Sequence, residues 1–201
     1  MRNTRLGPPF PRFLLMKLNK DLDEISLYCP SHHGEVAEEL PIHRMVLLLE
    51  DRRFFEHKGV DIWAFGRELF HIFTFRKHGG ASTIDMQLVR TITGYRERTV
   101  ARKLYEMILA RLVQYHATKW QILQSYLDVA YFGTRLTGLQ AASRRLYNKR
   151  VDQLSIEEAA ELASLLVYPK PTLENDRWRS KMKRRSRYAL YLRARSKKIS
   201  K

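Results

Sequence analysis

Two acids and a run of cations are the side chains in this sequence whose types and spacing suit bond-making chemistry. Glu50 opens the stretch Glu50-Asp51-Arg52-Arg53-Phe54-Phe55-Glu56-His57-Lys58-Gly59-Val60-Asp61, directly after the apolar run Val46-Leu47-Leu48-Leu49. Acids beside a buried surface are costly unless they are paired, hydrogen-bonded or used, and a carboxylate at the edge of an apolar wall suits a general base. Glu106 has Arg102 and Lys103 four and three residues before it. On a helix both cations reach that carboxylate and favour its charged form. Arg90, Arg96 and Arg98 stand just upstream, and guanidinium forks suit phosphate. Gly79-Gly80-Ala81-Ser82-Thr83 offers hydroxyls and backbone N–H groups to an anion at a helix start. It lacks the Gly-Lys-Ser/Thr ending of a P-loop, so nucleotide hydrolysis is not supported. Taken singly, each set also has an ordinary account: a solvated helix end around Glu50, a surface ion pair at Glu106.

Helices must position these side chains, because strand signals are nearly absent and the apolar spacing is helical. Pro41, Ile42, Met45, Val46 and Leu49 predict a helix over 42–55. If it continues, Glu50, Phe54 and His57 fall on one face. The aromatic segment 62–75 carries Arg67 and Glu68 and is followed by Arg76-Lys77-His78; it suits either a buried core helix or a segment lying in a membrane interface. Ser82 or Thr83 caps a helix over 83–93 that Gly94 ends. The next spans 99–115 with Leu104, Ile108, Leu112 and Tyr115 as its apolar stripe. Thr118-Lys119-Trp120-Gln121 is a capping box opening a helix that Gly133 closes, and Ser155 to Glu158 is a second, opening a helix to Val167. Residues 1–40, with Pro8, Pro9, Pro11 and Cys29-Pro30, predict an irregular N-terminal arm.

The 201 residues carry 37 Lys or Arg against 21 Asp or Glu, a net charge of +16. After Asp176 come twelve cations and no acid, leaving 25 basic against 21 acidic residues before it. Residues 177–201, a basic C-terminal helix or tail, therefore suit an anionic surface: lipid head groups, polyanionic carbohydrate or nucleic acid. No base-reading motif accompanies the charge, which argues against nucleic acid; a solubilising tail is the plain alternative. Cys29 is the only cysteine, and with His32 and His33 it makes too small a set for zinc. Phe13-Leu14-Leu15-Met16 and Met45 to Leu49 are far short of the ~20 apolar residues that span a bilayer, and no export signal is visible.

Two carboxylates, a phosphate-friendly cluster and an interface-seeking segment together suit glycosyl transfer from a lipid-linked pyrophosphate. Such a leaving group needs cations to stabilise departing charge, while the attacking hydroxyl needs a base. At this point the chain resembles the peptidoglycan glycosyltransferases (family 51 transglycosylases) over about residues 40–190. The stretch from Glu50 to Asp61 resembles the first family motif, and Gly80-Ala81-Ser82-Thr83-Ile84-Asp85-Met86-Gln87-Leu88-Val89-Arg90 the second. Arg102-Lys103-Leu104-Tyr105-Glu106 is similar to the third, Lys119 to Asp128 to the fourth and Glu158-Ala159-Ala160-Glu161-Leu162-Ala163 to the fifth, all in order.

The resemblance implies a mostly α, lysozyme-like domain over 41–176, with residues 62–78 as a membrane-associated jaw. It implies that Glu50 is the base activating the acceptor 4-hydroxyl of lipid II, which displaces the polyprenyl pyrophosphate of the growing glycan chain with inversion. Glu106 becomes the second catalytic carboxylate, acting directly or through a divalent cation (Mg2+ or Mn2+); no metal site is certain. Arg90, Arg98, Arg102 and Lys103 match the basic positions around the donor pyrophosphate. Ser82, Thr83 and Gln87 fall on cleft-lining positions, and Asp51 beside Glu50 joins the substrate-binding set, though with His57 it suits positioning the base more than acting itself.

Met86, Gln121, Gln124 and Asp128 depart from the family pattern at positions that look architectural. The membrane anchor that family members normally carry is not seen, so either the chain is truncated at its N-terminus, or attachment rests on the jaw and the basic tail or on a membrane-anchored cell-wall synthesis partner, or the protein is a divergent paralogue. The expectation is a monofunctional polymerase, peripheral at the outer face of the plasma membrane and on an anionic surface. A non-catalytic membrane- or wall-binding paralogue is the alternative. A lysozyme-like hydrolase needs a raised-pKa acid, which cations around Glu106 oppose.

Overall fold

Apolar residues recurring every three or four positions need other helices to cover them, and helix on helix is the result. The computed structural model describes residues 10–29, 39–73, 80 and 82–196. Among them are nine α-helices: α1 (Phe10–Tyr28), α2 (Pro41–Glu50), α3 (Ile62–Phe73), α4 (Ile84–Thr93), α5 (Val100–Val113), α6 (Lys119–Val129), α7 (Leu139–Tyr147), α8 (Ile156–Ser164) and α9 (Asp176–Ser196). The expectation of a mostly α protein holds. A small antiparallel hairpin, β1 (Tyr131–Gly133) with β2 (Leu136–Thr137), joins α6 to α7.

The core is made where α2, α4, α6 and α8 meet: Ile42, Met45, Ile84, Leu88, Ile122, Leu127, Ala159 and Leu162 are all fully buried. Small buried side chains on α8 (Ala159, Ala160 and Ala163) let α2 and α9 approach it closely.

Local chemistry sets the helix ends. Thr83, Thr99, Thr118 and Ser155 each accept a backbone N–H of the first turn, and the boxes Thr118–Gln121 and Ser155–Glu158 close reciprocally as expected. Gly94 ends α4 in the left-handed conformation, also as expected. The helices from these caps are shorter than the sequence suggests. α6 stops at Val129 because Ala130 turns extended into β1, and α8 stops at Ser164.

Three expectations are corrected. Part of the supposed irregular N-terminal arm is a 19-residue helix; Pro11 sits in its first turn, where the missing N–H breaks no helical bond. The helix over 42–55 stops at Glu50. Asp51 leaves it at φ −155°, because its carboxylate turns inward to accept the Ile84 N–H at 3.0 Å and to meet His57. Glu50, Phe54 and His57 therefore do not share a helix face. On α5 the stripe is inverted: Leu104, Ile108 and Tyr115 are exposed, while Glu106, Leu109, Ala110 and Val113 are buried. The basic C-terminal segment, expected as a helix or tail, is helical as far as Ser196: α9 packs along α2 and α8 with Met182, Ser186 and Ala189 buried.

α3 exposes Ile62, Trp63 and Phe70, and residues 74–78 of the expected jaw lie outside the described residues. Among the described residues no helix is long and apolar enough to cross a membrane.

Candidate active site

α2 delivers Glu50 at its last residue, with the side chain 11% exposed. Its Oε1 accepts from Arg185 Nη2 at 2.6 Å, and its Oε2 from Gln87 Nε2 at 3.4 Å. The Gln87 carbonyl accepts from the Tyr126 hydroxyl at 2.8 Å, which fixes which end of the amide faces Glu50. Burial pushes the Tyr126 phenol pKa up, so this hydroxyl remains a donor. Arg185 also donates to the Leu49 carbonyl at 3.3 Å, tying α9 to the end of α2.

Beneath Glu50 lies a buried polar network. His57 Nε2 stands 2.9 Å from Asp51 Oδ2, and Lys119 Nζ is 3.5 Å from His57 Nδ1 and 2.9 Å from Asp85 Oδ2. An ammonium donating to Nδ1 leaves the proton of a neutral imidazole on Nε2, facing Asp51. Gln114 adds a further hydrogen bond to Asp85. Burial raises the Asp85 carboxyl pKa and lowers that of Lys119, and the pair opposes both shifts. Asp51, His57 and Asp85 form a metal-like trio, but Lys119 already stands at it as the cation.

Gly59 closes this loop against α5. Its φ is +88°, and a Cβ there would lie 2.3 Å from the Ala110 carbonyl oxygen, so the first motif needs glycine for close approach. Thr83 then donates to the Gly59 carbonyl at 2.6 Å while capping α4.

Glu106 is surrounded differently. Its side chain is 3% exposed, and Arg102, Lys103 (3.4 Å) and Arg90 (3.7 Å) all bear on it. Lys103 Nζ also donates to Ser82 Oγ at 2.9 Å, joining the start of α4 to the cluster. Burial pulls the Lys103 pKa below its ordinary 10.5, with Glu106 opposing and Arg90 and Arg102 adding to the shift. These residues do not fit a divalent cation: one carboxylate is already held by three cations, whereas Mg2+ or Mn2+ takes oxygen-rich ligand sets. The cluster keeps an excess of positive charge, which suits an anion.

Two cavities meet at Glu50, Gly80 and Ser82. One, of about 450 Å³, runs toward α3 and is bordered by Arg52, Arg53, Asp61 and Arg67. The other, of about 440 Å³, is bordered by Gln87, Arg90, Val167 and Arg185. Glu50, Ser82, Gln87 and Arg90 thus share one cleft, with Arg102, Lys103 and Glu106 linked to it through Ser82 and Arg90. Asp51 and Thr83 border the first cavity but are buried, their polar atoms engaged in holding the loop and α4. Arg98 is exposed in the connection before α5 and is not drawn into the cluster.

Sequence reasoning does not single out Arg185 within the basic C-terminal segment; only proximity in the fold distinguishes it from Arg184. It also missed Tyr126 and the Lys119–Asp85 pair. The departing residues behave as architecture: Met86 is buried in the core, Gln121 closes a capping box, and Gln124 donates to Asp128 at 2.9 Å.

A family model described as transglycosylase matches residues 31–193. The chain is 37% identical over 147 residues to a biosynthetic peptidoglycan transglycosylase of Shewanella denitrificans, covering 72% of this chain and 64% of that one. It is 35% identical over 151 residues to penicillin-binding protein 1F of Bacillus subtilis, covering 73% of this chain but 21% of that protein. It is 41% identical over 121 residues to penicillin-binding protein 1A of Escherichia coli K12, covering 60% of this chain and 14% of the relative. The chain therefore spans less than two thirds of the length of each of these relatives. With the first two motifs lining one cleft, the third linked to it, and the family model matching most of its length, the chain belongs to the transglycosylase family, the peptidoglycan glycosyltransferases.

Proposed function

We propose that this domain polymerises lipid II into linear glycan by inverting transfer. The observation that carries the reading is a partly shielded carboxylate, Glu50, common to two cavities, one of them bordered by Arg90 of the cation cluster. Two cavities on either side of one base suit two sugar substrates. The acceptor lies toward α3, and the donor lies toward Arg90 with its pyrophosphate among Arg90, Arg102 and Lys103.

In the reaction Glu50 takes the proton of the acceptor 4-hydroxyl as that oxygen bonds to the donor anomeric carbon from the side opposite the leaving group. The bond from that carbon to the pyrophosphate oxygen breaks, and its electron pair leaves with the phosphate. The cations meet charge as it develops, which a fixed, partly buried cluster does without reorganisation. Arg185 and Gln87 keep Glu50 aimed in the free protein, and the long Gln87 contact gives up its oxygen when the hydroxyl arrives. Glu106 holds the three cations together; metal chemistry is not needed in this scheme. The jaw helix α3, with Ile62, Trp63 and Phe70 exposed, meets the outer face of the plasma membrane where such a substrate resides.

The test is incubation of the purified chain with fluorescent lipid II in detergent, followed by gel separation of the products. Glycan strands and released polyprenyl pyrophosphate are expected; neither product from folded protein overturns the reading.

A further inference from the structure

The chain crosses from β1 to β2 through Thr134 and Arg135, and Arg135 stands there at φ +61°. That left-handed conformation suits glycine, and a long side chain kept in it is strained unless its surroundings hold it. The holding comes from the segment 165–172, which follows α8. Lys170 donates its backbone N–H to the Phe132 carbonyl at 2.9 Å, and Thr134 donates to the Lys170 carbonyl at 2.9 Å. From α9, Trp178 Nε1 donates to the carbonyls of Tyr168 and Pro169, each at 3.1 Å. Hairpin and segment are therefore laced into one fixed wall.

This wall and α7 enclose a cavity of about 830 Å³, larger than either cavity at Glu50. Arg135 borders it from the hairpin turn, Arg145 from α7 and Lys170 from the segment, and no acid is among the residues that line it. Glu174 pairs with Lys170. Among the described residues the guanidiniums of Arg135 and Arg145 have no hydrogen-bond or ion-pair partner. Thr134 and Thr172, joined at 3.1 Å, add hydroxyls to the same wall. Two open forks on different elements suit a ligand that carries more than one carboxylate.

Position selects the ligand. Leu166 and Val167 of the same segment border the Arg90 side of the catalytic cleft. Val167 and Lys170 are three residues apart, at most about 11 Å of chain. A glycan strand whose growing end lies on that side of the cleft has its older units outside it, within reach of the cavity. The stem peptides on those units carry carboxylates. We propose that the cavity grips the nascent, peptide-bearing glycan strand through carboxylate contacts to Arg135 and Arg145. The inference rests on the transferase reading of the cleft. A strand tethered here stays at high local concentration between additions, so successive transfers lengthen one strand rather than start another.

Two measurements on the full chain test this. The first is binding of labelled, uncrosslinked glycan strands, with stem peptides intact or removed by an amidase. The second is the length of strands made from fluorescent lipid II in detergent. Wild type is expected to prefer the peptide-bearing strands, less so as salt rises. Arg135→Gly/Arg145→Gln is expected to weaken that binding by about tenfold or more and to shorten the product at an unchanged initial rate of lipid II consumption. Glycine adopts the turn without strain, so circular dichroism and the unfolding midpoint should hold. Arg144→Gln, an equal loss of charge on α7 outside the cavity lining, should change neither readout. Equal wild-type binding of stripped and intact strands overturns the proposal. So does a double variant with wild-type binding and strand length, or an Arg144→Gln as impaired as the double variant. Loss of binding to phosphatidylglycerol vesicles in place of strands also overturns it, since the cavity then serves lipid. A wild type that makes no polymer, yet binds strands through Arg135 and Arg145, fells the transferase reading and leaves the strand site standing.

Discussion

Glu50 meets one guanidinium and one amide at the mouth of two cavities, whereas Glu106 meets three cations with its side chain almost wholly enclosed. The same carboxylate is set up for different work. Around Glu50 one oxygen is shared with Arg185 and the other with a long 3.4 Å contact to Gln87, so a hydroxyl can compete for it. Around Glu106 every approach is taken by charge, and removing the acid would leave buried cations facing each other. A base must be reachable, and a charge-organising acid must not be. The contrast supports the proposed division of labour, proton transfer at the first and leaving-group handling around the second.

The largest combined effect is expected for Glu106→Gln. It leaves Arg90, Arg102 and Lys103 uncompensated, so polymerisation falls by about a hundredfold or more, and the unfolding midpoint falls as well because an uncompensated buried charge costs about 3–5 kcal/mol. Parallel rate and calorimetric measurements check both effects; an unchanged midpoint would break the proposed difference between the acids. Arg185→Ala is expected to act on the Glu50 side alone. It frees the carboxylate but loses its aim, so activity drops by about tenfold while Arg185→Lys recovers part of it. A rate unchanged by Arg185→Ala would mean that Arg185 only fastens α9.

The smallest effect concerns Lys103. Its ammonium is the required form, and burial pulls its pKa below 10.5, so activity is lost on the alkaline side at a lower pH than an ordinary lysine would set. The same shift means that the folded state disfavours the ammonium, so its contribution to stability is lost as pH falls through the lowered pKa. Lys103→Arg, a guanidinium that stays charged throughout, is expected to move the alkaline limb upward with only a few-fold change in plateau rate. A limb at the wild-type position would assign it to another group.

Much of this contrast is legible in the sequence, and the reasons are local. Arg102, Lys103 and Glu106 lie within one helical turn or so, and the caps Thr83, Thr99, Thr118 and Ser155 act on residues three positions away, so spacing alone places them. What failed is long-range. Arg185 reaches Glu50 across 135 residues, and nothing in a run of similar cations singles it out. The end of α2 at Glu50 depends on His57 and on the Ile84 N–H, which draw Asp51 inward from well beyond the helix. The face of α5 differs for a related reason: Glu106 is drawn inward with Leu109, Ala110 and Val113, so Leu104 and Ile108 turn outward. Apolar periodicity marks a face that seeks cover, and does not say whether the protein supplies it.

The account rests most heavily on Glu50 as the base, and the direct measurement is the initial rate of lipid II polymerisation by Glu50→Gln against wild type, at equal concentrations of folded protein. The amide keeps the shape and a carbonyl acceptor for Arg185 but cannot take the hydroxyl proton, so a loss of about 10²–10⁴-fold is expected with the unfolding midpoint nearly unchanged. Polymer formed by Glu50→Gln at close to the wild-type rate would contradict the account.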